Sequence, residues 1–394
     1  MAVEIMTPSK RSDIQPFLVM QALREAAVLE EKGEQVLHLS LGQPANRAPQ
    51  RVLDKVAEAL KSEQLGYTDA RGIAPLRERL SAFYKECYGL EIPAERFFIT
   101  TGSSSAQFLA LLAGFDVGQT VAINTPCYAA YPQLMRALGL KPVFLPCDAG
   151  TNYQPTRAML EALPEKPDGI VITSPSNPTG TVIEPKEFEA IIAYCNAQGI
   201  KVISDEIYHK IAFDDAPIKS ALEYSDDAIV TSSFSKYFLL PGWRLGWMIV
   251  PESFQSAIEN VLMNFFLSAP AVAQIAALEV FNCTDELDAV VAGYAKNREI
   301  LMERFPQIGF DKISNPQGAF YLYVDVSDYT DDSLAFARDM LHATGVCAVS
   351  GVDFDAERGH HFLRFSYAGS PQTMLESCER LSPYLSQLKE KKRA

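Results

Sequence analysis

From about residue 50 to residue 232 the chain alternates short, continuous apolar runs with longer stretches whose apolar positions recur at helical spacing. The runs FFIT (97–100), VAIN (121–124), GIVIT (169–173), KVIS (201–204) and AIVTS (228–232) have few polar positions to turn toward water, the pattern of strands covered on both faces. Stretches such as PKEFEAIIAYCNAQG (185–199) lie between them and predict helices. Strand, crossover helix and strand in succession predict parallel pairing with helices on both faces of the sheet. The starts at 169, 201 and 228 are 32 and 27 residues apart, a spacing that suits such units. LGWMIV (245–250) follows AIVTS too closely for a crossover helix and predicts an antiparallel member of the same sheet.

The two ends of the chain are patterned differently. FLVMQALREAAVLEEKG (17–33) has helical spacing and stops on Gly33, and LHLSLGQPAN follows as a strand and turn. Beyond about residue 286 come a long helix (290–305), the strands GAFYLYVDV (318–326) and HFLRFSYA (361–368), and a final helix (371–390). The expected architecture is α/β. A large domain, 48–285, has a mostly parallel sheet flanked by helices; a smaller, discontinuous α+β domain takes residues 286–394 together with the arm 1–47. A length of 394 residues suits two domains and permits a core that needs no crosslinks. The least charged stretch, NVLMNFFLSAPAVAQIAAL (260–278), is interrupted by Asn264, Ser268, Pro270 and Gln274, so it predicts a buried helix with a proline near its start rather than a membrane span.

Charge narrows the range of partners. Asp and Glu number 49 against 35 Lys and Arg, a net charge of −14, which opposes binding to nucleic acid or anionic lipid and leaves any anion to be held by a local site. Seven scattered cysteines without a C-x-x-C pair argue against disulfides or a zinc cluster, and the opening MAVEIMTPSKRSD lacks the apolar segment of a signal peptide; a cytoplasmic protein is expected. Five histidines show no metal spacing, and neither a G-x-G-x-x-G nor a Walker pattern occurs.

In open parallel sheets ligands bind beyond the carboxyl ends of the strands. Four strands here are followed by small, hydroxyl or ionisable residues: TGSSSAQ after FFIT, SPSNPTG after GIVIT, DEIY after KVIS, and SFSK after AIVTS. Each has an ordinary explanation alone. A serine in TGSSSAQ would cap a helix, Asp205 would cap a DEIYHK helix, Asn177 suits a turn, Tyr128 suits a core, and most lysines are solvated. Together they outline one polar site. Lys236 at the edge of a core would be held as the neutral amine that attacks carbonyls. Arg244, eight residues on, carries the forked donor set that grips phosphate. Gly102, Ser103 and Ser104 at a strand-to-helix turn would add backbone N–H groups to that grip. Tyr208, three residues after Asp205, would share its helical face. Arg364 in the apolar strand LRFSYA requires a carboxylate, from the protein or from a substrate.

These residues in this order resemble a fold-type I pyridoxal-phosphate aminotransferase of the class I/II group. The resemblance runs through SLGQP, YTDARG, TTGSSSA, SPSNPTG, SDEIY, SFSK, GWRLGW, GAFYLY and RFSYA, nearly the whole chain. It implies a pyridoxal 5'-phosphate cofactor joined to Lys236 as an imine, with Asp205 on the ring nitrogen, Tyr208 and Asn177 on the phenolic oxygen, and Tyr128 against the ring face. It implies Gly102, Ser103, Ser104, Ser233 and Arg244 around the phosphate, and Tyr67 reaching the phosphate in the neighbouring subunit of a homodimer. Arg364, with Gly42 and Asn177 near it, would take the substrate α-carboxylate. The implied reaction passes an amino group between an amino acid and a 2-oxo acid. Ser103 stands where glycine is frequent, Gln43 where an acidic residue is common, and no distal arginine for a dicarboxylate is evident.

Three other readings compete. A β-lyase or decarboxylase would share every cofactor residue. A serine hydrolase would use Ser104, in the near-elbow Gly102-Ser103-Ser104-Ser105-Ala106, and would need an Asp and a His from elsewhere. A ligand sensor of the same fold would carry a DNA-binding domain, for which the short arm leaves no room.

Overall fold

The computed structural model describes residues 6–393, so the first five residues of the N-terminal stretch and Ala394 lie outside it. Seven strands build the main sheet: β1 (Phe97–Thr100), β2 (Thr120–Thr125), β3 (Lys141–Pro146), β4 (Gly169–Thr173), β5 (Lys201–Asp205), β6 (Ile229–Ser233) and β7 (Gly246–Ile249). Their order is β1-β7-β6-β5-β4-β2-β3. The pairs within β2 to β6 are parallel, whereas β7 is antiparallel to both its neighbours, β6 and β1. The short link after β6 dictates that reversal, as its length predicts.

Alternate residues of the central strands enter two different cores. Ile170, Ile172, Val202 and Val230 pack with Phe188, Ile191 and Ile192 of the helix Pro185–Gln198 on one face. Val171, Ile203 and Ile229 pack with Leu109, Ala110 and Met135 on the other. Each such side chain contributes roughly 1.5–3 kcal/mol by leaving water, so both faces hold helices firmly. Strand β3 escapes the sequence pattern for a physical reason: it lies at the sheet edge, and Leu145 alone of its six residues is buried. Two prolines are tolerable there because an edge strand has one side free of ladder bonds.

A second, antiparallel sheet has the order β9-β10-β8, from β8 (Tyr321–Asp325), β9 (Val349–Ser350) and β10 (Phe362–Ser366). Long helices, Thr284–Ile308 and Pro371–Arg393, pack against one another beside it. The N-terminal arm joins this smaller unit. Leu37–His38 pairs in parallel with Val346–Cys347, and the helix Val19–Glu31 sets Ala26 and Leu29 against Leu341 and Cys347.

Two local expectations are corrected. Residues 260–278 are not one helix but parts of two, Glu252–Phe266 and Ala271–Val280. Pro270 caps the second and disfavours helical backbone in Ala269 before it, and Leu267, which ends the first, takes a left-handed φ of 61°. DEIYHK forms no helix: β5 ends on Asp205 and hydrogen-bonded turns follow over 207–210. Tyr208 therefore reaches its place by a turn rather than along a helical face. Among the described residues no helix is long and apolar enough to cross a membrane.

Candidate active site

The carboxyl ends of β4, β5 and β6 and the start of the helix after β1 open onto one cavity of about 350 Å³, as the open-sheet rule requires. Because β7 runs backwards, its entry faces the same edge, and this brings in Arg244. From the smaller unit come Tyr321 on β8 and Arg364 on β10.

Lys236 lies three residues past β6 and donates from Nζ to the Gly42 carbonyl at 2.5 Å. Desolvation, followed by the positive charges of Arg364 and Arg244, pulls its ammonium down to about 8. Near neutrality an appreciable share of this lysine is therefore the free amine. Asp205, the last residue of β5, is buried; Oδ2 accepts the Tyr131 hydroxyl at 2.5 Å and Oδ1 accepts the Ile207 N–H at 3.1 Å. Burial raises its carboxyl to about 6 against those hydrogen bonds. Among the described residues no cationic side chain comes within 4.0 Å of it. A buried carboxylate kept mostly ionised without a cation is costly, and a protonated ring nitrogen would relieve that cost.

One end of the cavity is a cradle for an anion. The helix Ser103–Gly114 begins after Gly102, which has a φ of 85° and makes no side-chain cap, so the first amides of the helix point outward without acceptors among the described residues. A Cβ on Gly102 would come within 2.6 Å of Arg244 Nη2, so only glycine lets the guanidinium close over this helix start. Arg244, itself left-handed at φ 52°, donates to the Pro241 carbonyl at 3.0 Å. Ser103, Ser104 and Ser235 line the cavity. Ser233 does not: its hydroxyl is engaged with Ser235 Oγ at 2.7 Å and the Leu245 carbonyl at 3.1 Å, and Ser235 takes the cavity position instead.

Arg364 is the second anion grip. Nη1 donates to Asn177 Oδ1 at 2.9 Å and Nη2 to the Ser40 carbonyl at 2.8 Å, while the guanidinium lies over the rings of Tyr321 at 4.5 Å and Phe354 at 4.8 Å. It is buried, its Nε has no partner, and no carboxylate lies within 4.0 Å among the described residues. A Cβ on Gly42 would approach Tyr321 Oη at 2.9 Å and Arg364 Nη1 at 3.9 Å, which places this glycine against the same grip. Tyr208 joins through its hydroxyl, 2.9 Å from that of Tyr321.

Tyr128 lines the cavity, its ring stacked beside Phe17 and edge-on to Tyr131. Tyr67 lies elsewhere, 86% exposed in a separate cleft, and does not meet this chain's own cavity. Sequence reasoning missed Tyr131 and Tyr321 as site residues. Tyr131 follows Tyr128 by three residues in PCYAAYP and could have been flagged by that spacing; Tyr321 carried no such signal in an aromatic-rich strand. Among the described residues no histidine lines the cavity. The closest in sequence, His209, donates from Nε2 to the Ser174 carbonyl and accepts from the Tyr88 hydroxyl, so Ser104 has no histidine beside it to complete a hydrolase triad.

Residues 34–381 match the family described as aminotransferase class I and II. The chain is 42% identical to the valine–pyruvate aminotransferase of Mycobacterium tuberculosis over 95% of this chain and 97% of that protein. The chain belongs to the class I and II aminotransferases. A crystal structure of an aminotransferase from Mycobacterium tuberculosis superposes with a TM-score of 0.96 at 41% identity, over 97% of this chain and 100% of that one. The (5-formylfuran-3-yl)methyl phosphate transaminase of Methanocaldococcus jannaschii is 34% identical over 95% of this chain and 98% of that protein. This aminotransferase passes an amino group between an amino acid and a 2-oxo acid, and its family works with pyridoxal phosphate.

Proposed function

We propose that this aminotransferase binds pyridoxal 5'-phosphate in the 350 Å³ cavity and transfers amino groups from amino acids with uncharged side chains. One observation carries the reading. An amine lowered to about 8, a buried carboxylate without a cation, and a glycine-floored cradle under a guanidinium all open on the same space. These residues fit the cofactor. The cradle formed by Gly102, Ser103, Ser104, Ser235 and Arg244 would hold its phosphate, Asp205 its ring nitrogen, Tyr208 and Asn177 its phenolic oxygen, and Tyr128 a ring face. Ser233 would support Ser235 rather than touch the phosphate. Bound there, the cofactor supplies an electron sink for the charge left on a substrate α-carbon when its proton departs.

The protein's part follows from its own groups. Lys236 would supply the amine that holds the cofactor's aldehyde carbon and, when free, would move the proton at the substrate α-carbon; its lowered pKa suits it to take that proton near neutrality. Arg364 fixes the substrate α-carboxylate bidentately, with Asn177 steadying the guanidinium, so that one Cα–H bond keeps one orientation. Asp205 maintains negative charge at the cavity floor through the Tyr131 hydrogen bond. Among the described residues the cavity wall carries no cation apart from Lys236, Arg244 and Arg364, and its remaining surface includes Phe17, Val19 and Met20. That favours neutral, apolar side chains over dicarboxylates, and the relative named for valine and pyruvate supports the same preference. The reading further includes a cytoplasmic homodimer in which Tyr67 reaches the partner's site, and a division of the chain near residues 47 and 285.

Borohydride reduction of the cofactor-loaded protein followed by peptide mass spectrometry should place the reduced adduct on Lys236. Valine with pyruvate should yield alanine, and Lys236→Ala should yield none. An adduct on another lysine, or alanine formation by that variant, overturns the assignment.

A further inference from the structure

Phe17, Val19 and Met20 wall the cavity although they belong to the arm, far in sequence from the strand ends. The arm before them, residues 6–16, is exposed throughout. Something must therefore hold this wall in place. Phe17 stacks beside Tyr128, with ring centroids 6.0 Å apart and planes 20° apart, but stacking alone leaves the backbone free to slide.

The backbone is held by Asp353. Oδ1 accepts the Leu18 N–H at 2.9 Å and Oδ2 accepts the Val19 N–H at 3.2 Å, so both carboxylate oxygens are spent on the first amides of the helix Val19–Glu31. That helix has no cap of its own, and a negative group at its start is favoured by the exposed amide dipoles. No cation lies within 4.0 Å of Asp353 among the described residues, and burial holds its carboxyl above the usual range against these two bonds. Its hydrogen-bonding capacity is directed at the arm.

Asp353 also sits where it can link the arm to the carboxylate grip. It ends the turn Gly351–Asp353 directly after β9, whose Val349 lies opposite Arg364 on β10. The next residue, Phe354, lies beneath the Arg364 guanidinium at 4.8 Å. Of two consecutive residues, Asp353 thus holds the backbone of the cavity wall and Phe354 contacts the guanidinium proposed to grip the α-carboxylate. We propose that Asp353 is a positioning residue that latches Phe17–Met20 over the substrate side chain and ties that wall to Arg364, making selection for apolar side chains depend on it. The proposal rests on the aminotransferase reading of this cavity.

The test uses the cofactor-loaded full chain with Asp353→Ala, Asp353→Asn, Phe17→Ala and the double variant Asp353→Ala/Phe17→Ala. With valine and alanine as donors, Asp353→Ala should raise KM for valine by about tenfold and that for alanine, which barely reaches the wall, by less than about twofold, with kcat little changed. Asp353→Asn, which keeps one acceptor, should recover most of the loss. The double variant should be no worse than Asp353→Ala, because an unlatched wall has nothing further to lose. Without any amino acid present, amide hydrogen exchange over residues 17–24 should speed up in Asp353→Ala and stay near the parent rate in Asp353→Asn. Equal KM rises for both donors, strictly additive losses, or unchanged exchange overturns the latch. A parent protein without cofactor colour instead removes the cavity assignment, and the exchange measurement still decides whether Asp353 holds the arm.

Discussion

Glu206 follows Asp205 directly but serves a different part of the molecule. It is buried, and Oε1 accepts from Ala221 N–H and Ser220 Oγ, each at 2.9 Å, and from Ser204 Oγ at 3.2 Å, while Oε2 lies 3.4 Å from His209 Nδ1. Burial pushes Glu206 up to about 8 and pushes His209 down to about 3. A carboxyl raised above its unfolded value binds more protons folded than unfolded, so its effect is to lower stability as pH rises toward 8. His209 acts oppositely but is spent by about 6.5, Asp205 by about 6, and Lys236 begins only near 8. Thermal stability should therefore fall between about pH 6.5 and 8 on account of Glu206, and Glu206→Gln should flatten that fall in a melting series. Tyr131 makes a second prediction. Its hydrogen bond lowers the Asp205 pKa, so Tyr131→Phe should move the acid limb of the kcat/KM profile to higher pH, and an unmoved limb would remove Tyr131 from that role.

Among the elements, what the chain made plain and what it hid have separate causes. β4, β5 and β6 were visible because both of their faces are covered, and β7's direction followed from a link too short for a helix. β3 was invisible because an edge strand needs no apolar pattern. DEIYHK mimicked a helix because an Asp next to mixed residues suits a cap and a turn equally. At the site, Lys236, Asp205, Arg244 and Arg364 were legible as charges stranded in apolar company. Tyr131, Tyr321 and Ser235 were not, since tyrosine and serine are ordinary wherever they occur and only tertiary contact singles them out. The Gly102 turn gives a prediction at this scale. A Cβ at φ 85° costs roughly 1–2 kcal/mol in backbone strain and also meets Arg244 Nη2. Gly102→Ala should weaken pyridoxal phosphate binding by about tenfold or more in a cofactor titration while the fold, followed by circular dichroism, persists.

Considered whole, the molecule leaves apolar side chains in water that a lone chain has little reason to expose. Tyr67 is 86% exposed and Leu267 58%, and the two are neighbours because the Thr68 N–H donates to Ser268 Oγ at 3.3 Å. Phe265 adds a further exposed ring. If this face is closed by a second copy, sedimentation should give a dimer, the melting midpoint should rise with protein concentration, and Leu267→Glu should shift the protein to monomers with loss of transfer. A concentration-independent midpoint with full activity in a monomer would contradict that arrangement.

The reversed strand β7 has one more consequence. A strand that ran with its neighbours would need a long return, and amine and guanidinium would then hang from separate excursions of the backbone. Here Lys236 and Arg244 hang from a single tether, fixed at one end by the exit of β6 and at the other by the entry of β7. Adding one residue to that tether would leave both strands in register yet introduce a step of about 3.8 Å, more than any hydrogen bond can stretch. The spacing of these two cations is thus a ruler built into the sheet, set by the number of residues between β6 and β7.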